Sequence, residues 1–100
     1  MSLITAANQQ ISGNSAVIST VSMPGPGTLA IFASDAAGGL AFPPIGFVSL
    51  QQGEYRDIIV TLTTQPKSGD KLFAVLEKPG SYVDPYMEND KPVDTSFQVL

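Results

Sequence analysis

Four acidic residues, Asp84, Glu88, Asp90 and Asp94, crowd the stretch YVDPYMENDKPVD late in the chain. Calcium is held by roughly six to eight oxygens, mostly carboxylate and carbonyl, and a polar loop of this kind can supply some of them. These four residues are therefore the metal candidates, with calcium as the ion. Their spacing is not that of an EF-hand, and Lys91 sits among them, so a solvated acidic loop without a cofactor is the simpler expectation. Tyr82 and Tyr86 lie in the same loop and could form a stacking platform for a glycan or a peptide. The chain has no tryptophan, and packing of the loop onto the body of the protein is the more usual role for such rings.

The other motifs carry less. Ser68-Gly69-Asp70-Lys71 fits the Ser-x-x-Lys pattern of some acyl-transfer enzymes, which belongs at the start of a helix in a larger fold; a hairpin turn is expected here. Ala36-Ala37-Gly38-Gly39 shares only its glycine content with phosphate-cradling loops, since no Lys-Ser/Thr and no helix follow it. Asn14, Asn89 and the lysines raise the thought of a Lys–Asn isopeptide bond of the kind found in surface adhesin domains. Those domains place the lysine on an early strand, whereas no lysine precedes Lys67. Beside Pro43-Pro44 an X-Pro bond could be cis.

Absences limit the chemistry further. The chain has no histidine and no cysteine, which removes the commonest general base, thiol catalysis, disulfides and thiolate metal sites. The net charge of −4 and the lack of a Lys/Arg cluster argue against nucleic acid. No run approaches the roughly 18 apolar residues of a membrane helix, so no membrane insertion is expected. The start, MSLITAANQQ, has neither a basic nor an apolar signal region, and residues 1–3 read as a cloning remnant or a disordered start. Charge is unevenly placed: up to residue 53 only Asp35 is charged, and the other thirteen charged residues fall between Glu54 and Asp94. Polar Ser, Thr, Asn and Gln can solvate the first half. A low-charge surface also suits a protein partner or a second copy, because interface centres are depleted in charge.

The positioning elements read as strands. Residues 28–63 are the organising stretch: an apolar run at 29–33, a loop at 35–44, a strand at 45–50, a tight turn at Gln52-Gly53, and an alternating strand at 55–63. In that last strand Arg56, Ile58, Val60 and Leu62 are expected on one face, and Tyr55, Asp57, Ile59, Thr61 and Thr63 on the other. Residues 3–11 read as an edge strand or arm, Ser12-Gly13-Asn14 as a turn, 16–23 as a strand, and Pro24-Gly25-Pro26-Gly27 as a tight connection. Gln65 to Asp70 is a second turn, 71–77 alternates, 78–92 is a long loop, and 95–100 closes as a strand. About seven short strands without a helical period predict one all-β domain over 1–100, an antiparallel immunoglobulin-like β-sandwich, with a small barrel as the alternative.

Several of these residues also carry a resemblance: Gln10 with Ser12-Gly13, Val17 to Val21, Gly27 leading into Leu29-Ala30-Ile31-Phe32, and Ile45-Gly46. They continue with Leu50 and Gly53, Ile58 to Leu62, Leu72-Phe73-Ala74, and Pro92-Val93 after the acidic loop. From about Gln9 onward the chain resembles a family of small extracellular β-sandwich domains of unknown function found in archaeal and bacterial surface proteins. The resemblance implies an exported or cell-surface setting. Members of this type carry a His and an Asp just after the strand corresponding to 72–76, where this chain has Glu77-Lys78-Pro79. The expected function is a non-enzymatic structural, adhesion or assembly module. The alternatives are a calcium- or glycan-binding module using loop 78–94, or a phage or virion structural protein.

Overall fold

The computed structural model describes residues 3–11, 13–81 and 84–100, and every regular element in it is a strand. β1 (Leu3–Thr5), β2 (Ser15–Met23) and β5 (Gly53–Thr61) form a three-stranded sheet in the order β1-β2-β5. β3 (Gly27–Ser34), β4 (Leu40–Leu50), β6 (Lys71–Glu77) and β9 (Asp94–Gln98) form a four-stranded sheet in the order β4-β3-β6-β9. A short ladder of β7 (Met87–Glu88) and β8 (Lys91–Pro92) stands between β6 and β9 in the chain. The named strands all pair antiparallel, and the sheets stay open. Met1, Ser2, Ser12, Tyr82 and Val83 lie outside the described residues, whereas Leu3, the end of the supposed remnant, pairs with Ser22.

One buried cluster draws on both sheets. Ile4, Ala16, Ile18, Val21, Met23 and Val60 come from the first, and Leu29, Ile31, Leu72, Ala74, Leu76 and Phe97 from the second. Removing these branched and aromatic side chains from water is the main force joining the two layers. Val60, Leu62, Leu72 and Leu76 are buried as the alternation predicts, and Ile58 is half-buried against the same cluster. β3 is central and apolar on both faces: Leu29 and Ile31 face the shared cluster, while Ala30 and Phe32 join Val75 in a second one on the outer side.

The 55–63 strand does not alternate strictly. Ile58 and Val60 pack inward, but on the N-terminal side it is Tyr55, not Arg56, that packs against the core. Asp57 stands between them with φ 52°, a left-handed conformation that Asp tolerates better than most residues. β2 changes phase opposite it: its buried positions are Ala16 and Ile18, then Val21 and Met23. The two paired strands therefore turn their faces together, which a period-two reading of one strand cannot show.

The expected loop at 35–44 is much shorter. Asp35 closes a turn over 35–39, its Oδ1 accepting from the N–H groups of Ala37 (2.9 Å) and Gly39 (2.8 Å). β4 then starts at Leu40 and carries both prolines. Ile31 pairs with Gly46 but Ala33 pairs with Ala41, so the intervening residues of β4 bulge from the ladder, and the Phe42–Pro43 bond is cis. A proline pair inside a strand is tolerated because β4 is an edge strand with a bulge. The bulge lays Phe42 edge-on against Phe32, with ring centroids 5.1 Å apart.

Two connections expected to be local turns instead cross between sheets. Gln51-Gln52 leads from β4 to β5, and 62–70 from β5 to β6. The Ser68–Lys71 segment is thus a turn, held by the Asp70 carboxylate on the Lys67 N–H (2.8 Å), but not a hairpin. The 3–11 arm also spans both sheets. β1 pairs with β2, and the backbone of Gln9 then bonds Gln98 and Leu100 beside β9. The Gln9 side-chain amide meanwhile accepts from the Val17 N–H (2.8 Å) and donates to the Val17 carbonyl (2.9 Å). That amide takes the place of a strand residue at the edge of β2, leaving fewer backbone groups there open to pairing with another chain.

Candidate functional site

The most heavily built region outside the main core lies where residues 78–94 leave β6 and return to β9. The chain folds back at once. The Lys78 N–H donates to the Asp84 carbonyl (2.9 Å), Pro85 bridges Glu77, and the Tyr86 N–H donates to the Leu76 carbonyl (2.9 Å). Val93 completes the return: its N–H donates to the Tyr86 carbonyl (2.9 Å), and its carbonyl accepts from the Leu76 N–H (3.0 Å). The Tyr86 ring packs against the core, and its hydroxyl donates to the Pro26 carbonyl at 2.6 Å. That contact anchors the segment; the other ring of the expected stacking platform, Tyr82, lies outside the described residues. Gly27 underlies the anchor, where a Cβ would collide with the Glu77 carbonyl oxygen and press on Met23 Cε (3.0 Å) and Tyr86 Cε2 (3.1 Å).

The four acidic candidates occupy four separate settings. Asp84 is exposed and its Oδ1 lies 3.8 Å from Lys78 Nζ, an exposed pair of the kind that contributes about 0–1 kcal/mol. Glu88 ends β7, half-buried. Asn89 and Asp90 both have positive φ, 53° and 64°, and form the two-residue turn between β7 and β8; that conformation explains their types, since Asn and Asp accept it readily. Asp94 opens β9 opposite Val75, and partial burial pushes its carboxyl above the usual range. Among the described residues, no three acidic side chains gather as a metal-holding group.

The residue that sequence reasoning passed over is Glu77. It is only 1% exposed, and among the described residues its Oε1 has no hydrogen-bond partner. Burial raises its pKa above the ordinary carboxylate value; the Asp84 backbone N–H works the other way, and the Asp84 charge raises it further. A signal was present. Alternation places Glu77 with Phe73 and Val75, on the face of β6 away from the Leu72, Ala74 and Leu76 side. Lys71, the lysine of the Ser-x-x-Lys motif, holds its ammonium 5.0 Å from the centre of the Phe73 ring, a cation–π contact. A recess of about 110 Å³ beside it is lined by Ala33, Ser34, Asp70 and Lys71, and there the Ser34 hydroxyl donates to the Lys71 carbonyl at 2.6 Å.

These features define an all-β protein of open antiparallel sheets that share one core, with a folded-back segment alongside the end of β6. Residues 2–99 match the family described as a domain of unknown function, DUF7282, and the chain belongs to that family. No curated protein and no solved structure matches it. Among the described residues, no helix is long and apolar enough to cross a membrane.

Proposed function

We propose that this chain is an immunoglobulin-like β-sandwich of about seven strands that works by surface contact. In this reading it is a non-enzymatic structural, adhesion or assembly module of an exported or cell-surface protein. The strand orders β1-β2-β5 and β4-β3-β6-β9 support the architecture, as does the arm that pairs with β2 and then with β9. The setting rests on the resemblance of the sequence to surface-protein domains.

One observation carries the contact reading. β4 is an edge strand within a stretch, residues 36–53, that has no charged side chain, and it holds Phe42 and Phe47 each 55% exposed. Covering such a strand removes apolar area from water without stripping solvent from a charge, so a protein partner or a second copy can dock there at low desolvation cost. An enzyme needs acids and bases converging on a cleft. Glu77, the ionisable residue buried among the described residues, is instead bridged by Pro85 within the sheet.

The test is the mass of the chain in solution by sedimentation, with a Phe42→Ser/Phe47→Ser variant alongside. The expected result is a species above one chain that falls to one chain in the variant. A monomer at every concentration would reject self-assembly. A thermal melt with calcium and with chelator is expected to give one Tm; a calcium-dependent rise would replace this reading with a ligand-binding module.

A further inference from the structure

We propose that Glu77 is the pin of a pH-sensitive clasp: residues 84–93 stay fastened to the end of β6 while its carboxyl keeps its proton, and loosen when the proton leaves. The inference stands apart from the surface-contact reading, because it concerns the opposite end of the four-stranded sheet from the Phe42 bulge.

The geometry comes first. Glu77 is the last residue of β6 and lies on the face away from the shared core, yet it is buried, flanked along the sheet by Pro85, which bridges it on one side, and by Thr28 of β3, which pairs with it on the other. Thr28 is itself nearly buried and carries no charge, and residues 24–27 have none either. In the folded-back segment Asp84 faces Glu77: its N–H favours the charged form and its carboxylate opposes it. Lys78, the cation next in the chain, turns its ammonium to Asp84 instead. On β9, Asp94 stands beside Val75, one position along the same face, and adds no positive charge. Among the described residues, then, no cation offsets a negative Glu77, and Oε1 lacks a donor. A carboxylate has only acceptors, whereas the protonated acid is neutral and brings a donor of its own, so the closed state favours the proton.

The sign follows by linkage. Burial raises the Glu77 pKa in the closed state, so the closed state holds more protons than the open one between the ordinary glutamate value and the raised one. The clasp's advantage is therefore complete at low pH and is lost as pH rises through the raised value. This is the reverse of a salt-bridged carboxylate. What opens is defined by the fastenings: the Tyr86 hydroxyl leaves Pro26, and the Lys78, Tyr86 and Val93 amides lose their acceptors.

Amide hydrogen exchange tests this on the whole chain, with wild type and Glu77→Gln compared at the same pH so that intrinsic exchange chemistry cancels. At the Lys78, Tyr86 and Val93 amides the wild-type to variant ratio of exchange rates should rise between about pH 4 and about pH 8. At the Leu29 and Ile31 amides the ratio should stay level. A flat ratio in the clasp would overturn the proposal, and so would an equal rise in the core strand, which would mean a change in global stability. If the variant fails to fold, the NMR titration of the Glu77 carboxyl carbon in wild type decides: a midpoint at or below that of ordinary glutamate refutes the clasp.

Discussion

The two sheets treat their outer faces differently. On the three-stranded sheet, Val17 and Ile59 pair across β2 and β5 and remain exposed, Ile59 at 65%. On the four-stranded sheet, Phe32, Ala30, Val75 and Glu77 also face away from the shared core, yet all are buried. The strands themselves do not make the difference. Two irregular pieces do: the proline bulge of β4, which brings Phe42 onto Phe32, and residues 84–93, which pair alongside the end of β6. A sheet face becomes interior when a connection is long enough to reach it and carries the apolar groups to cover it. Once interior, it can trap a carboxyl that the open face would have left solvated.

The strongest challenge to this contrast is a pair of truncations. Phe32→Ala should cost about 3–5 kcal/mol, the usual loss for a buried aromatic side chain, while Ile59→Thr on the open face should stay within about 0.5 kcal/mol. Urea denaturation measures both, and similar losses would mean that the two outer faces are alike. Next in size is Gly27→Ala beneath the Tyr86 anchor. Its Cβ meets the Glu77 backbone carbonyl, which cannot swing aside as a flexible side chain would, so a loss of about 1–3 kcal/mol from overpacking is expected. A Tm equal to wild type would show that the anchor has room to spare. A smaller loss than at Gly27 should come from Gly53→Ala, where no atom crowds the new Cβ but φ is +146°. There only backbone strain acts, on the order of 1 kcal/mol, and no change in the urea midpoint would show that the turn relaxes.

Much of the strand content was legible because successive side chains of a strand point to opposite faces, which gives a period of two. Leu72, Ala74 and Leu76 against Phe73 and Val75 is the clearest case, and the double-sided burial of β3 was legible in its unbroken apolar run. The pattern failed wherever backbone conformation overrode it. Asp57 in the left-handed region turned Arg56 outward and Tyr55 inward, and the edge position of β4 let Pro43 and Pro44 lie within a strand. The acidic candidates were visible as a cluster in sequence, but that Asp90 stands in a turn with positive φ and Asp84 near Lys78 was not.

By itself, then, the sequence determined an all-β chain: its apolar periods, its glycine- and proline-marked connections, and its lack of histidine and cysteine. These are local or compositional properties, and no partner in space is needed to express them. Which sheet each strand joins, which face of that sheet is covered, and that Glu77 is buried and bridged by Pro85 were decided by the tertiary structure alone. Pairing and burial depend on segments distant in the chain, and a carboxyl at the end of a strand is solvated or trapped according to what later packs around it.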